Sequence, residues 1–523
     1  MEFYISVALI ALAAIQSAII SIPMLKIIQL SGYKNRGVWA WWKSTNYDVL
    51  IRYASIMLFA FISEIIFVTA FSTFKWVRYC AVAFYCIFAL IFIFAVKNNR
   101  ANKIKFTGRM IRLFIANSVI ICAVGGLIAF ASYYSFYCQT LSAVLGVVVP
   151  FSTLFANIIM CPIEKLNNGR YVKRAKAKLN EKSPIVIGIT GSYGKTTAKN
   201  ILAAMLAKKY TVLATPGSYN TPMGVCKTIN NTLNDEKIFI AEMGARFKGD
   251  IKELCDIVNP TYGIITAIGD MHCETMGSRA DIADVKYELA LSLPASGLLV
   301  LNGYNADCKA LKDRNPACKT EVTGDGIKYE NLVIDGHGTS FSLVLGDGEN
   351  RQNVTTKLLG AHVAETVCAC ACMALSLGVE LSDIADAVSA LQPVEHRLQL
   401  LDSGAVTVID DAFNANPIGA KNALNVLNCF DGIKVIITPG FVELGALEKP
   451  SNVALGKQIA EVCDYAFLVG SRAEDIKSGA VKAGMEESRI KVFSSRQNAV
   501  DELKNIEGNK VVLFENDLPD NIV

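Results

Sequence analysis

Lys195 and Thr196 sit near the end of the run Gly188-Ile-Thr-Gly-Ser-Tyr-Gly-Lys-Thr-Thr197, which joins a cation and hydroxyls to a glycine-rich turn. Glycines at 191 and 194 let backbone N–H groups come close to phosphate oxygens, and a helix starting here adds the positive end of its dipole. Lys195 can then reach the terminal phosphates of a nucleoside triphosphate, and the Thr196 hydroxyl can ligate Mg²⁺. Gly191, Ser192, Tyr193, Gly194, Lys195, Thr196 and Thr197 are therefore read as the triphosphate site. The spacing G-x-x-G-K-T is shorter than the usual Walker loop, whose first glycine would fall where Ile189 stands. Two more residues suit the same chemistry. Glu242 ends the apolar run of Lys237-Ile-Phe-Ile-Ala-Glu-Met-Gly244, and His272 lies just beyond Thr261-Tyr-Gly-Ile-Ile-Thr-Ala-Ile268. Both are candidate metal ligands beside the nucleotide.

These residues meet only if the chain folds as an α/β unit. An apolar strand (Ile185, Val186, Ile187, Ile189) precedes the loop and an amphipathic helix (Ile201, Leu202, Met205, Leu206) follows it. Alternation of strands with helix-like runs predicts a mostly parallel sheet with helices on both faces. Ligands in such sheets lie at the carboxyl ends of strands, where the loop, Glu242 and His272 converge. Near 323–358 short alternating strands (329–334, 340–345, 353–358) separated by Gly and Asp turns predict a small antiparallel insert, followed by a helix over 363–377. Strands at 406–410, 434–438 and 465–469 predict a second α/β unit.

At 523 residues the chain has room for about three domains. Hydrophobic residues make up 52% and charged residues 19%, and the apolar excess gathers near the start. Segments near 4–26, 50–71, 76–96, 113–137 and 141–161 are each long enough to cross a bilayer, which predicts an α-helical five-span membrane domain over 1–165. Five such runs in succession, with basic clusters between alternate ones, argue against buried core helices. The first begins Met-Glu-Phe without a basic n-region, so a retained anchor is expected rather than a cleaved signal peptide. Lys34, Arg36 and Lys43, then Lys97 to Arg109, then Lys165 to Lys178 mark the cytoplasmic connections, which puts the N-terminus outside and the C-terminal part in the cytoplasm. Residues 166–183 read as a basic juxtamembrane linker facing anionic membrane lipid. Glu64, deep in the second span, fits either a polar pathway or a pair with a neighbouring helix. The net charge of +4 is too small to argue for nucleic acid. The 15 cysteines include no C-x-x-C pair and read as packing residues in a reducing compartment.

From about 184 to 523 the chain resembles the Mur ligases, ATP-dependent amide ligases of peptidoglycan precursor synthesis. The resemblance is carried by Gly191-Ser-Tyr-Gly-Lys-Thr-Thr197, Ala241-Glu-Met-Gly-Ala245, His272-Cys-Glu-Thr-Met-Gly-Ser278 and Lys286-Tyr-Glu288. It continues through His396-Arg397-Leu398, Asp410-Asp-Ala-Phe-Asn-Ala-Asn-Pro417 and Glu443-Leu-Gly445. It implies a central ATP-binding domain over 184–394 and a Rossmann-like C-terminal domain over 395–523. It also implies an acyl-phosphate mechanism: ATP phosphorylates a carboxylate, an amine attacks, and ADP and phosphate leave. On the same ground Thr196 and Glu242 bind one Mg²⁺ and His272 a second. Lys286 matches the family lysine that becomes carbamylated near that metal, where spacing alone suggests an ordinary helix lysine paired with Glu288 or Asp284. Lys195, Lys286 and His272 are the implied catalytic set, and Arg397, Asp411, Asn414 and Asn416 the implied ATP contacts from the C-terminal domain.

The sequence departs from the family in three places. Asn220-Thr221 stands for Asn-Asn, and Gly360-Ala-His362-Val-Ala-Glu-Thr366 lacks both asparagines expected near adenine. Membrane segments stand where the family has a domain for the uridine-nucleotide sugar. The implied reaction joins D-alanyl-D-alanine to a muramoyl-tripeptide. The alternative is an amino acid or peptide added to a lipid-linked or exopolymer precursor at the membrane. A non-catalytic nucleotide-binding scaffold has no need of Lys195, Glu242, His272 and Lys286 together, and the loop spacing disfavours an ATP-driven transporter.

Overall fold

A computed structural model of the chain describes residues 2–35, 37–39, 58, 62, 66, 106–134, 144–271, 273–348, 350–402, 406–413, 415–442 and 444–516. The chain divides into two compact units, Met1–Gly169 and Arg170–Val523.

The first unit is helical. Its helices span Glu2–Ile20, Ile22–Leu30 and Gly108–Tyr134, with the start of a long helix, Val144–Lys182. Ile10–Leu30, Gly108–Ala131 and Val148–Lys182 are long and apolar enough to cross a membrane. The expected span at 76–96, Glu64, and all of the expected span at 50–71 but residues 58, 62 and 66 lie outside the described residues. The expected span 4–26 is interrupted at Ser21, because Pro23 has no N–H to donate and fits only the first turn of a new helix. Ile10, Ala13, Met24 and Leu25 pack with Met110, Leu113 and Val149, while Ile115, Val119, Leu127 and Phe130 are exposed. Glu164 is buried and accepts two bonds from Arg112, at 2.7 Å from Nε and 3.0 Å from Nη2. That geometry offsets the cost of holding a carboxylate away from water.

The second unit opens with residues 170–182. The stretch expected as a linker is helical up to Lys182, and its Ala175 and Leu179 are buried in the following domain's core. Asn230 Nδ2 donates to Tyr171 O at 3.1 Å, and Lys178 Nζ donates to Asn230 O at 3.2 Å.

Next comes a parallel sheet of β1 (Ile185–Thr190), β2 (Val212–Ala214), β3 (Ile238–Glu242), β4 (Tyr262–Ile265), β5 (Leu298–Leu301) and β6 (Lys319–Val322), in the order β2-β3-β1-β4-β5-β6. The central strands β1 and β3 read as continuous apolar runs because helices cover both faces. One face carries Val225, Ile229, Leu254 and Ile282, the other Ile201, Leu202, Val367 and Met373. The insert is antiparallel as expected: β7 (Ile327–Asp335), β8 (Gly338–Leu345) and β9 (Asn350–Thr356), with a bulge between Glu330 and Val333. The helix expected over 363–377 runs Ala361–Ser376.

The C-terminal sheet has the order β10-β11-β15-β12-β13-β14. Its members are β10 (Gln399–Asp402), β11 (Val406–Asp411), β12 (Ile433–Thr438), β13 (Tyr465–Val469), β14 (Ile490–Phe493) and β15 (Lys510–Glu515). Only β10 is antiparallel to its neighbour. The last strand thus closes the middle of its sheet, with Asp411 opposite Glu515.

Candidate active site

β1 delivers the chain into the loop in a conformation that requires glycine. Gly191 has φ +152°, and a Cβ there would lie 2.1 Å from Thr266 Oγ1 at the end of β4. Gly194 has φ +77° and begins the helix Lys195–Leu206. The loop is tied to the segment after β4 by Ser192 N to Ala267 O at 2.8 Å and by the Ser192 hydroxyl to Gly269 O at 3.0 Å. The Tyr193 hydroxyl accepts from Asn305 Nδ2 at 3.1 Å, and burial pushes its pKa up to about 12. It therefore acts as a neutral phenol.

Lys195 folds back over the loop, with Nζ donating to Gly191 O at 2.7 Å and Ser192 O at 3.2 Å. Burial lowers its pKa to about 8; Glu242 opposes that shift and Arg397 adds to it. The Thr196 hydroxyl donates to Glu242 Oε2 at 3.1 Å. Glu242 ends β3 in full burial and also accepts from Asn220 Nδ2 on Oε1 at 3.2 Å and from Lys199 Nζ on Oε2 at 3.0 Å. From the C-terminal sheet's side, Arg397 Nη2 approaches Thr196 Oγ1 at 3.4 Å, with its guanidinium 4.4 Å from the Phe413 ring centroid. Burial lowers the Arg397 pKa, while Glu242 and Asp411 act to raise it. A hydroxyl and a carboxylate so close together form a hard-oxygen pair of the kind Mg²⁺ takes when phosphates supply its other ligands.

Lys286, in the helix Arg279–Ser292, is buried at 2% exposure. Its expected ordinary partners are engaged elsewhere. Glu288 accepts from Gly249 N at 2.7 Å and Lys252 N at 3.0 Å, and Asp284 binds Arg314 Nη1 at 2.7 Å. Burial, then the charge of Lys195, lowers the Lys286 pKa to about 7, so the neutral amine is present at neutral pH.

One solvent-open cleft is lined by Tyr193, Thr197, His362, Arg397, Asp411 and Asn416, among others. Asn416 also caps the helix Pro417–Asn428, its Oδ1 accepting from Ile418 N at 3.1 Å and Gly419 N at 2.9 Å. His272 and Asn414 lie outside the described residues. His362 is held neutral by burial, which pulls its pKa down to about 4, and its Nδ1 has no hydrogen-bond partner among the described residues.

Sequence reasoning missed Lys199, Asn220 as a Glu242 partner, and Glu515. Lys199 carried a signal: it shares a helix face with Leu202 and Leu206, which makes a core-facing lysine. Glu515 is fully buried beside Asp411. Burial and the Asp411 charge hold its carboxyl well above the usual carboxylate range. Burial likewise pushes Asp411 up to about 6, against the pull of the Leu398 N–H and Arg397. Glu515, its carboxyl held high in the folded chain, keeps its proton to higher pH there than in the unfolded chain, where it ionises around its ordinary value of 4.5. Stability is then lost as pH rises. Glu515→Gln should therefore melt about 2–4 °C above the parent at pH 8, with the gap closing toward pH 4, read by thermal unfolding at both pH values.

The chain matches the Mur ligase middle domain over residues 189–374 and the glutamate ligase domain of Mur ligases over 396–515. It is 30% identical over 352 residues to the UDP-N-acetylmuramoyl-tripeptide--D-alanyl-D-alanine ligase of Bacillus subtilis, covering 65% of this chain and 75% of that protein. The MurF ligase of Thermotoga maritima, solved in complex with ADP, superposes with a TM-score of 0.59 at 26% identity, over 67% of this chain and 80% of that one. MurF of Acinetobacter baumannii shares the fold, with a TM-score of 0.62 at 24% identity, over 67% of this chain and 77% of that one. Matched by both domain models and across three quarters of a relative 30% identical to it, the chain belongs to the Mur ligase family of ATP-dependent ligases.

Proposed function

We propose that this chain joins D-alanyl-D-alanine to a UDP-linked muramoyl-tripeptide, forming ADP and phosphate through an acyl phosphate, with its catalytic domains in the cytoplasm and its N-terminal helices in the inner membrane. The observation that carries the reading is the meeting of Lys195, Thr196, Glu242 and Arg397 within hydrogen-bonding reach of one another or of the phosphate loop. Gly191–Thr197 hold the triphosphate through backbone N–H groups. Lys195 turns from the loop carbonyls to the transferring phosphoryl group, and Arg397 adds a second cation from the C-terminal domain. Mg²⁺, held by Thr196 and Glu242, supplies further charge neutralisation when bound. Tyr193, Asp411 and Asn416 line the nucleotide cleft, and approach of the two domains excludes the water that would hydrolyse an acyl phosphate.

Lys286 serves this site as a carbamate. Its ammonium gives up one proton, and the neutral amine then adds CO₂ and releases a second, leaving a carbamate anion at the buried position. Carbamylation needs the unprotonated amine, so the carbamylated fraction falls as pH drops through about 7. Turnover should fall with it and recover partly on added bicarbonate. A ¹³C carbamate resonance on ¹³CO₂ loading, absent from Lys286→Arg, would identify the group; no such resonance at pH 8 would remove it from the mechanism.

The direct test is ADP release by the detergent-solubilised full chain with UDP-muramoyl-tripeptide and D-alanyl-D-alanine, each omitted in turn. Release that needs both, with an amide product by mass, supports the proposal. The three helices among the described residues that are long and apolar enough to cross a membrane favour a second reading, in which the carboxylate is on a lipid-linked precursor. Release that appears only with membrane lipid extract would select it.

A further inference from the structure

Lys199 is among the largest fully buried side chains of the described residues, and its Nζ bonds Glu242 and Gly217 rather than the phosphate loop. It lies one helical turn after Lys195, with Nζ bonded to Gly217 O and, at 3.0 Å, to Glu242 Oε2; the two charged side chains are 2% and 1% exposed. So enclosed, its ammonium is fixed between the loop after β2 and the end of β3 and cannot swing toward a phosphate. Lys195 and Arg397 add positive charge near Glu242. Before nucleotide arrives, the carboxylate offered to a metal is thus already neutralised by a cation in direct contact. Among the described residues no group of three His, Cys, Asp or Glu side chains stands ready to hold a metal ion.

We infer that Lys199 keeps this site closed to free divalent cations, so that the metal enters only with the phosphates of the nucleotide. Among the described residues, a divalent ion approaching Glu242 and Thr196 meets the cations Lys195, Lys199 and Arg397 and a carboxylate that Lys199 already satisfies. The triphosphate reverses that balance, because its charge outweighs the cations and its oxygens complete the coordination shell. The same ammonium fixes the Glu242 carboxylate in place, so Oε1 and the Thr196 hydroxyl keep their orientation while the site waits. Lys199 is a positioning residue and an electrostatic gate. The inference rests on the reading of Glu242 and Thr196 as metal ligands.

The test uses Mn²⁺ as the probe, followed by its EPR signal on the full chain in detergent, with and without a saturating non-hydrolysable ATP analogue. The parent protein should hold Mn²⁺ at least about a hundredfold more tightly with the analogue than without. Lys199→Met should tighten Mn²⁺ binding to the nucleotide-free protein at least about tenfold, and Lys199→Arg should behave as the parent. Equal Mn²⁺ affinity with and without the analogue in the parent protein would overturn the inference even if Lys199→Met fails to fold. So would a folded Lys199→Met whose nucleotide-free affinity is unchanged. Glu242→Gln separates the two readings: if it leaves Mn²⁺ binding in the analogue complex intact, Glu242 is not a ligand and the reading beneath the inference fails instead.

Discussion

Lys195→Met should lower the kcat for ADP release at least about 10³-fold while leaving the unfolding midpoint nearly unchanged. The two halves of that result have separate causes. In the nucleotide-free protein the bonds of the ammonium among the described residues are two, to carbonyls of its own loop at 2.7 and 3.2 Å. Burial already disfavours its charge, so its loss costs the fold little. During phosphoryl transfer the same ammonium faces charge developing on the moving group, and a positioned cation in a water-poor site contributes its largest effect there. Methionine keeps the length and the apolar stem. A variant retaining more than about a tenth of the parental kcat would mean that Lys195 has no part in the transfer.

Glu242→Ala should destabilise the ATP-binding domain by about 3–5 kcal/mol and should also abolish turnover. Removing the carboxylate leaves Lys199 charged and buried with a backbone carbonyl as its remaining acceptor, and breaking one partner of a buried pair costs more than the pair contributes. Asn220 and Thr196 lose an acceptor in the same step. Glu242→Gln, which keeps an amide oxygen for Lys199, should lose less stability and nearly as much activity. Thermal unfolding beside ADP release reads both quantities. A Glu242→Ala protein as stable as the parent would show that the buried ammonium finds another partner. The double change Glu242→Ala with Lys199→Met should recover part of the lost stability, since the stranded charge goes with it.

The sequence reading of the ATP-binding domain held where strands are buried on both faces. β1, β3 and β4 are apolar runs bounded by turn residues, and the glycines of the loop announce a conformation other residues resist. β2, three residues long, and β6, with its exposed Lys319, left too little pattern to read. β15 is apolar enough, but nothing local told that the end of the chain fills the gap between β11 and β12. That insertion sets Glu515 beside Asp411, so the pair stayed out of reach. The ordinary reading of Lys286 failed for a geometric reason: residues two apart on a helix point to different sides, so Glu288 and Asp284 never faced it. Lys199 went unread because a lysine beside Asn200 carries no local mark of burial, although its turn of helix faces inward with Leu202 and Leu206.

The helix that ends at Lys182 bears on how the catalytic half could be studied apart from lipid. A natural place to cut would be Pro184, just before β1. Such a fragment would lack Ala175 and Leu179, which are buried in the domain core, and would leave Asn230 without Tyr171 and Lys178. It would bare a greasy scar and tend to precipitate. A fragment beginning at Arg170 carries its own plug, and a protease trimming the intact chain should stall near that point rather than at the first strand.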